Sequence, residues 1–244
     1  MERSLLGWYW RRVSDTVRYE GFHILLWRML KWCFSILGHL DMMTFYRKDL
    51  TGPFEVKGAK VDLTVIQATE SDIDQLVAMV ARRYGPTMAQ LWPYKNQSVR
   101  HILQQRFRRG CKCFVAKVGP QMVHYNWIFF HWEEEVMGTF SSRLQADEAI
   151  CNDGYTEEAW RGKGVHTAVN SQMLSFLKHA GYRRAYTSVG TDSKSSRKAL
   201  DRIGWEVYGT MLYFIPRGAC KAWIFRLKGT LEPLMEKQTA APEA

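Results

Sequence analysis

One short segment, Ala159-Trp160-Arg161-Gly162-Lys163-Gly164, constrains most strongly what this chain can fold into. It lies between a predicted strand over residues 148–155 and a predicted helix that ends at His179. Two glycines allow a tight turn through backbone conformations that a side chain would forbid. They also expose N–H groups at the start of the helix, where the macrodipole favours an anion. The segment therefore predicts a phosphate or pyrophosphate site, with an ordinary strand-to-helix turn as the alternative.

The charge balance favours an anionic partner without naming it. Lys and Arg number 34 against 24 Asp and Glu, so the net charge is +10. Nucleic acid, an acidic membrane surface and a phosphorylated ligand all fit such a charge. The basic residues are scattered and form no run typical of a nucleic-acid-binding arm, so we expect no nucleic-acid partner. Hydrophobic residues make up 46% of the 244 residues, which is ample for a core.

The cysteines favour a reduced protein without a metal site. There are five, an odd number, and they lack the paired spacing and His companions of a zinc site. Cys111 and Cys113 share one face of a predicted strand and are too close for a usual disulfide. The N-terminus has several charged residues and no long apolar run before a cleavage site, so no signal peptide is expected. Together these features predict a cytoplasmic protein.

Residues 1–55 predict an amphipathic helical extension, with its main helix over residues 21–46. Polar side chains, among them Arg28 and Lys31, recur there at helical spacing, and the rest of the circumference is apolar. Charged residues interrupt the apolar run, which falls short of the roughly 20 residues of a membrane span. Two alternatives stay open: the helix packs on the protein or on a second copy as a homodimer, or it lies on a membrane surface.

Strand and helix periodicities alternate after a linker at Thr51–Pro53. In chain order they predict a strand, two helices, three strands, a helix, a strand, a helix and two strands. That order predicts a mixed α/β fold around one central sheet, in a domain over residues 56–230. The polar residues 231–244 are expected to form a disordered tail.

This order, with the glycine-containing turn after the fourth strand, resembles the GNAT superfamily of acyl-CoA-dependent N-acyltransferases. The resemblance covers about residues 61–227. The family's pyrophosphate loop usually reads Gln/Arg-x-x-Gly-x-Gly/Ala. Here Gly162, Gly164 and the basic Arg161 match, while Ala159 departs at the first position. The resemblance implies a mixed, mostly antiparallel central sheet flanked by helices, and a CoA pyrophosphate bound by the backbone of the loop.

A second stretch, residues 193–205, resembles the family's Asn-x-x-Ser-x-x-Ala-Tyr-x-x-x-Gly-Phe helix. Ser196 and Gly204 match. Ser193 replaces the usual Asn, and Leu200 replaces a Tyr that protonates the departing CoA thiolate in many members. A general acid is therefore not implied at that position. The remaining candidates for this acid are Tyr186, Tyr208 and Tyr213.

The resemblance also implies a set of site residues. Glu148 is the expected base for the amine, because its separation from Arg161 is similar to that of the glutamate base in histone acetyltransferases of the family. The alternatives are Asp153 and Glu157. A backbone amide of the fourth strand, near Tyr155 or Thr156, is expected to stabilise the oxyanion. The residues expected to bind CoA are Tyr155, Thr156, Arg161, Gly162, Lys163, Gly164, Val165, His166, Ser193, Ser196 and Arg197.

The function implied is transfer of an acyl group, expected to be acetyl from acetyl-CoA, to a primary amine on a small molecule or sugar. One alternative is a long-chain N-acyltransferase that takes its acyl group from acyl-CoA or acyl carrier protein at a membrane surface. Another is a module that binds CoA without catalysis, which the replacement of Tyr by Leu200 favours. A peripheral position on the inner face of a membrane stays open beside a purely cytoplasmic one.

Overall fold

The computed structural model describes residues 17–18, 21–84, 98–130, 144–217 and 223–229. The predicted tail over residues 231–244 lies outside them. The described strands are β1 (Gly38–Asp49), β2 (Thr64–Ala68), β3 (Lys112–Val118), β4 (Gln121–Phe129), β5 (Glu148–Thr156), β6 (Arg184–Gly190), β7 (Glu206–Pro216) and β8 (Trp223–Gly229). The described α-helices are α1 (Phe22–Phe34), α2 (Ile73–Tyr84), α3 (Val99–Arg108), α4 (Val165–His179) and α5 (Lys194–Ile203).

The strands form one eight-stranded sheet in the order β2-β3-β4-β5-β6-β1-β7-β8. The β5–β6 pair is parallel, and the other neighbours are antiparallel. Buried apolar side chains of α2 and α3 pack on one face of the sheet, and those of α4 and α5 pack on the other. The prediction of a mixed, mostly antiparallel sheet flanked by helices is confirmed.

The central strands are buried on both faces, which explains their composition. In β4 every residue from Met122 to Phe129 is buried, and apart from His124 and Asn126 these residues are apolar or aromatic. Tyr125 and Trp127 belong to the core beneath α2 and α3, whereas Val123 and Ile128 belong to the core beneath α4. The sheet therefore holds two separate cores, one under each helix layer.

The prediction of a helix over residues 21–46 is wrong for the second half of that range. Helix α1 ends at Phe34, and residues 38–49 form β1, which pairs with β6 on one side and β7 on the other. The apolar run from Met42 to Tyr46 suits a strand whose two faces are both covered as well as it suits a buried helix. The predicted boundary near residue 55 therefore does not mark the edge of the sheet.

Helix α1 attaches to the sheet beside β1. Lys31 on the helix lies 3.2 Å from the Asp41 carboxylate in β1 and 2.9 Å from Asp192, which follows β6. The Phe34 ring packs edge-on against Phe214 of β7, with centroids 5.9 Å apart. Among the described residues, no helix combines the length and the apolar character needed to cross a membrane.

Candidate active site

The parallel strands β5 and β6 pair only at their first residues and then separate. Their register runs from Glu148↔Arg184 to Ile150↔Tyr186. Beyond this point β5 stays paired with β4 as far as Thr156, and β6 stays paired with β1 as far as Gly190. A cleft of about 810 Å³ opens between the separated ends, in the usual size range of a small-molecule site.

The predicted glycine loop lies at this cleft and leads into α4. Gly162 and Gly164 have φ values of +75° and +80°, a region that side chains rarely adopt, so the sequence needs glycine at both positions. Gly164 is the N-cap of α4, and no side chain caps this helix. The backbone N–H groups of the first turn therefore point toward the cleft side, where the helix dipole favours an anion.

A segment before β2 stabilises the loop, a contact that no sequence motif predicts. The backbone N–H of Lys60 donates to the carbonyl oxygen of Lys163 at 2.8 Å. A Cβ added to Gly164 would lie 3.4 Å from the Cα of Ala59. Lys60 also lines the cleft and adds a positive charge near the loop. The loop conformation thus depends on a contact between segments about a hundred residues apart.

The start of α5 forms the opposite wall of the cleft. Ser193 is the N-cap of this helix, and its hydroxyl donates to the hydroxyl of Ser196 at 3.0 Å. Both serines line the cleft, together with Lys198 and Leu200. Leu200 is 2% exposed and belongs to the core under α4, so the apolar side chain that replaces the family's tyrosine has a packing role.

A bulge in β5 displaces the strand where it borders the cleft. Trp127 pairs with Asn152 and Tyr125 pairs with Tyr155, so two residues of β5 oppose one residue of β4. Asp153, one of these two, has a φ of +59°. Such a bulge changes the direction of the backbone N–H groups of β5 next to the cleft.

Two arginines hold Asp153 in this conformation. Its carboxylate oxygens lie 2.6 Å from Nη1 of Arg83 and 2.5 Å from Nη1 of Arg106. Burial would raise the pKa of Asp153, but the two guanidinium charges outweigh it and hold this pKa below its usual value. A carboxylate stabilised in its charged form is a weak base, so the geometry favours a structural role for this alternative candidate.

Two histidines, the buried His124 and the partly buried His166, lie side by side next to the loop. The rings of His124 in β4 and His166 in α4 have centroids 5.3 Å apart, and Nδ1 of His124 lies 2.7 Å from Oγ1 of Thr156. Burial lowers the pKa of His166 to about 4. Burial, with the nearby His166 and Arg83, lowers the pKa of His124 well below its usual value. Both rings are therefore neutral near pH 7.

Glu148 lies at the closed end of the cleft and does not line it. Its side chain is 1% exposed. One carboxylate oxygen accepts from Arg184 at 2.9 Å and from the Tyr186 hydroxyl at 3.0 Å, and the other accepts from the backbone N–H of Gln145 at 3.1 Å. Burial raises the pKa of Tyr186 to about 12, so its hydroxyl keeps the proton that it donates. Glu148 is thus engaged in a buried network.

The structure brings most of the predicted site residues to one cleft. Those that line it are Tyr155, Thr156, Arg161, Gly162, Gly164, Val165, His166, Ser193 and Ser196. Glu148, Lys163 and Arg197 do not line it. The Lys163 ammonium lies 4.5 Å from the centre of the Trp160 ring. The three tyrosines considered as general acids do not line it either, and the Tyr213 hydroxyl lies 3.4 Å from His39.

Sequence comparison gives no relative for this chain: neither a protein-family model nor a curated protein matches it. Solved structures match in fold. A GCN5-related N-acetyltransferase from Sphaerobacter thermophilus has a TM-score of 0.53 at 14% identity, over 77% of this chain and 56% of that one. A GNAT-family protein from Novosphingobium aromaticivorans has a TM-score of 0.50 at 12% identity, over 72% of this chain and 64% of that one. The chain thus spans less than two thirds of either structure.

In fold the chain is similar to these GNAT-family structures, as the order of elements and the glycine loop predicted. Identities this low establish the fold alone. What the cleft binds and which reaction it supports must therefore be argued from its own residues.

Proposed function

We propose that the protein is an N-acyltransferase that moves an acyl group, in the simplest case acetyl, from acyl-CoA to a primary amine. One observation supports this most directly. The glycine loop, with both glycines at positive φ, starts α4 at the cleft where β5 and β6 separate. An anion at the helix N-terminus then has an extended channel between two strands beside it.

The residues of the cleft fit a pyrophosphate with an extended chain attached. The backbone N–H groups from Arg161 to Val165 would hold the pyrophosphate, and Lys60 and Lys198 would contribute positive charge. The separated edges of β5 and β6 offer backbone groups that a pantetheine amide can pair with, as an added strand does. Acyl-CoA bound in this way would supply a thioester carbonyl at the inner end of the cleft.

The reaction requires the amine to attack that carbonyl in its neutral form. A bond forms between the amine nitrogen and the carbonyl carbon, the C–S bond breaks, and the thiolate takes a proton. Tyr155 and Thr156 line the cleft next to the Asp153 bulge, so we assign the oxyanion to a backbone N–H at one of these two positions. Thiolate is a good leaving group, and its protonation by solvent suffices if no tyrosine reaches it.

The amine must also lose a proton to a base. Glu148 is the residue predicted for it, but its carboxylate is engaged with Arg184 and Tyr186 and lies behind the cleft wall. A proton from the amine would have to reach it through bound water or through the Tyr186 hydroxyl. The acceptor class proposed is a small molecule or sugar with a primary amine.

The test is a binding titration followed by a turnover assay. We expect CoA and acetyl-CoA to bind with measurable heat, and an amine panel screened for release of free thiol to identify an acceptor. Mass spectrometry of the co-purified ligand separates the alternatives: a long-chain thioester would indicate a long-chain transferase. Tight CoA binding without turnover of any acyl donor would favour the alternative of a module that binds CoA without catalysis. Absence of CoA binding would refute the whole proposal.

A further inference from the structure

Helix α1 exposes its apolar side and directs a charged side chain inward, the reverse of an ordinary surface helix. Within α1, Ile24 is its buried residue. Trp32 is 77% exposed and Phe22 is 60% exposed, whereas Lys31 is bonded to Asp41 and Asp192. The turn after α1 continues this side, because Ile36 is 73% exposed.

Strand β8 extends the same apolar surface along one edge of the sheet. The Phe34 ring contacts Phe214, and the Phe214 ring contacts Trp223 at a centroid distance of 5.8 Å. Among the described strands β8 is the outermost at this edge. We call the result the α1–β8 surface. Its members are Phe22, Leu26, Met29, Leu30, Trp32, Phe34, Ile36, Leu37, Trp223, Phe225 and Leu227.

The α1–β8 surface is larger than a monomer usually leaves in water. A large side chain presents about 150–250 Å² when fully exposed, and the exposed fractions of this set amount to on the order of 1,000 Å². The largest apolar patch on a typical monomer is about 300–600 Å². Such an area indicates a binding surface for an apolar partner.

The charges around the α1–β8 surface indicate what kind of partner fits. Arg28, Arg217 and Lys228 are exposed beside it, and the backbone N–H of Arg217 donates to the carbonyl oxygen of Leu37. The nearest carboxylates on β1 and after β6, Asp41 and Asp192, are both paired with Lys31. An apolar area with a cationic border matches an anionic lipid surface, where Trp side chains also lie favourably at the interface.

We propose that the α1–β8 surface binds an anionic lipid bilayer peripherally, with α1 lying in the plane of the headgroups. The proposal is independent of the acyl-transfer proposal. The α1–β8 surface and the cleft are nevertheless close in space. The Lys31–Asp192 ion pair joins α1 to the turn that leads into Ser193 at the wall of the cleft.

The test is co-sedimentation of the full chain with phosphatidylcholine vesicles that contain or lack phosphatidylglycerol. We expect binding to the anionic vesicles and weaker binding to the neutral ones. The Trp32→Glu/Ile36→Glu variant changes two exposed side chains of the surface, so it should keep its melting temperature and lose at least about tenfold in vesicle affinity. High salt should weaken wild-type binding by screening the cationic border.

A matched control adds the same charge elsewhere. Val56 and Val207 are 41% and 55% exposed and lie outside the α1–β8 surface, so Val56→Glu/Val207→Glu should bind vesicles nearly as wild type does. Equal binding by the two double variants would overturn the proposal. So would a wild-type dimer that binds no vesicles and that Trp32→Glu/Ile36→Glu converts to a monomer, because the surface would then be a subunit interface. CoA binding, measured in parallel, reports on the acyl-transfer proposal separately.

Discussion

Glu148 and Arg184 form an ion pair at the first paired residues of the parallel strands β5 and β6. Oε1 of Glu148 lies 2.9 Å from Nη1 of Arg184, and the two residues are direct partners in the parallel register. The Glu148 carboxylate is buried, and Tyr186 and a backbone N–H complete its hydrogen bonds. This network closes one end of the cleft, and through Tyr186, which pairs with Ile150, it reaches the last joined position before the strands separate.

Removing this carboxylate should destabilise the protein. Glu148→Ala leaves Arg184 and the buried Tyr186 hydroxyl without their acceptor, so we expect a loss of about 3 kcal/mol in the free energy of unfolding. Glu148→Gln keeps an acceptor and should lose about 1–2 kcal/mol. Urea unfolding measures both losses, and values near zero would contradict the assigned network.

The Glu148→Gln variant also tests whether Glu148 is the base. If it accepts the amine proton, Glu148→Gln should lower kcat by about 100-fold near neutral pH, with recovery as the pH approaches the pKa of the amine itself. If Glu148 only holds the strands together, the folded fraction should keep the wild-type pH profile. The pH profile thus separates the two roles where activity at a single pH does not.

The glycine loop should be sensitive to a single methyl group. In Gly164→Ala the residue must hold a φ of +80°, which strains a side chain, and the new Cβ comes into van der Waals contact with Ala59. The loop should therefore shift, and CoA affinity should fall by about tenfold or more. Gly181→Ala is a matched control, because Gly181 has a φ of +86° with nothing within 4 Å of the added atom. It should lose about 1 kcal/mol of stability and bind CoA normally. Calorimetric titration with CoA measures the affinity of each variant. Equal affinity in both variants would refute the assigned site.

Acidification should destabilise the fold through His166 and the neighbouring His124. The pKa of His166 is about 4 in the folded state, below the usual value of about 6.5, so the unfolded chain binds the proton first as the pH falls. Stability is fully present above about pH 6.5 and falls toward pH 4, by about 3 kcal/mol for this residue. The measurement is the free energy of unfolding as a function of pH. His166→Gln should flatten the slope, whereas His179→Gln, at the exposed far end of α4, should leave it unchanged.

Loss of β1 should prevent folding. A deletion of residues 1–50 removes the strand that joins β6 to β7, and no other described strand connects these two. We expect this variant to lack a cooperative thermal transition, whereas a deletion of residues 1–20, which ends before α1, should keep one. Circular dichroism recorded on heating measures whether each deletion variant has a cooperative transition. A cooperative transition without β1 would mean that β6 and β7 can pair directly.

The glycine loop and the α4 helix after it could be predicted because they depend on local sequence. Gly162 and Gly164 have the backbone angles that only glycine adopts easily, and the apolar periodicity of α4 is regular. Strand β1 could not be predicted, because a strand covered on both faces lacks the alternation that distinguishes it from a helix. The brace from Lys60 and the Asp153 pairs join residues far apart in the chain, and no pattern in a single sequence reports such contacts.

The position of β1 has a consequence for synthesis on the ribosome. Its two neighbours, β6 and β7, begin at Arg184 and Glu206, so β1 leaves the ribosome well over a hundred residues before the first of them. During that interval the strand has no pairing partner, and the apolar helix α1 precedes it unprotected. Long-range pairing of this kind slows folding and exposes a nascent chain to aggregation. We therefore expect the yield of folded protein in cells to depend on chaperones that bind the first fifty residues.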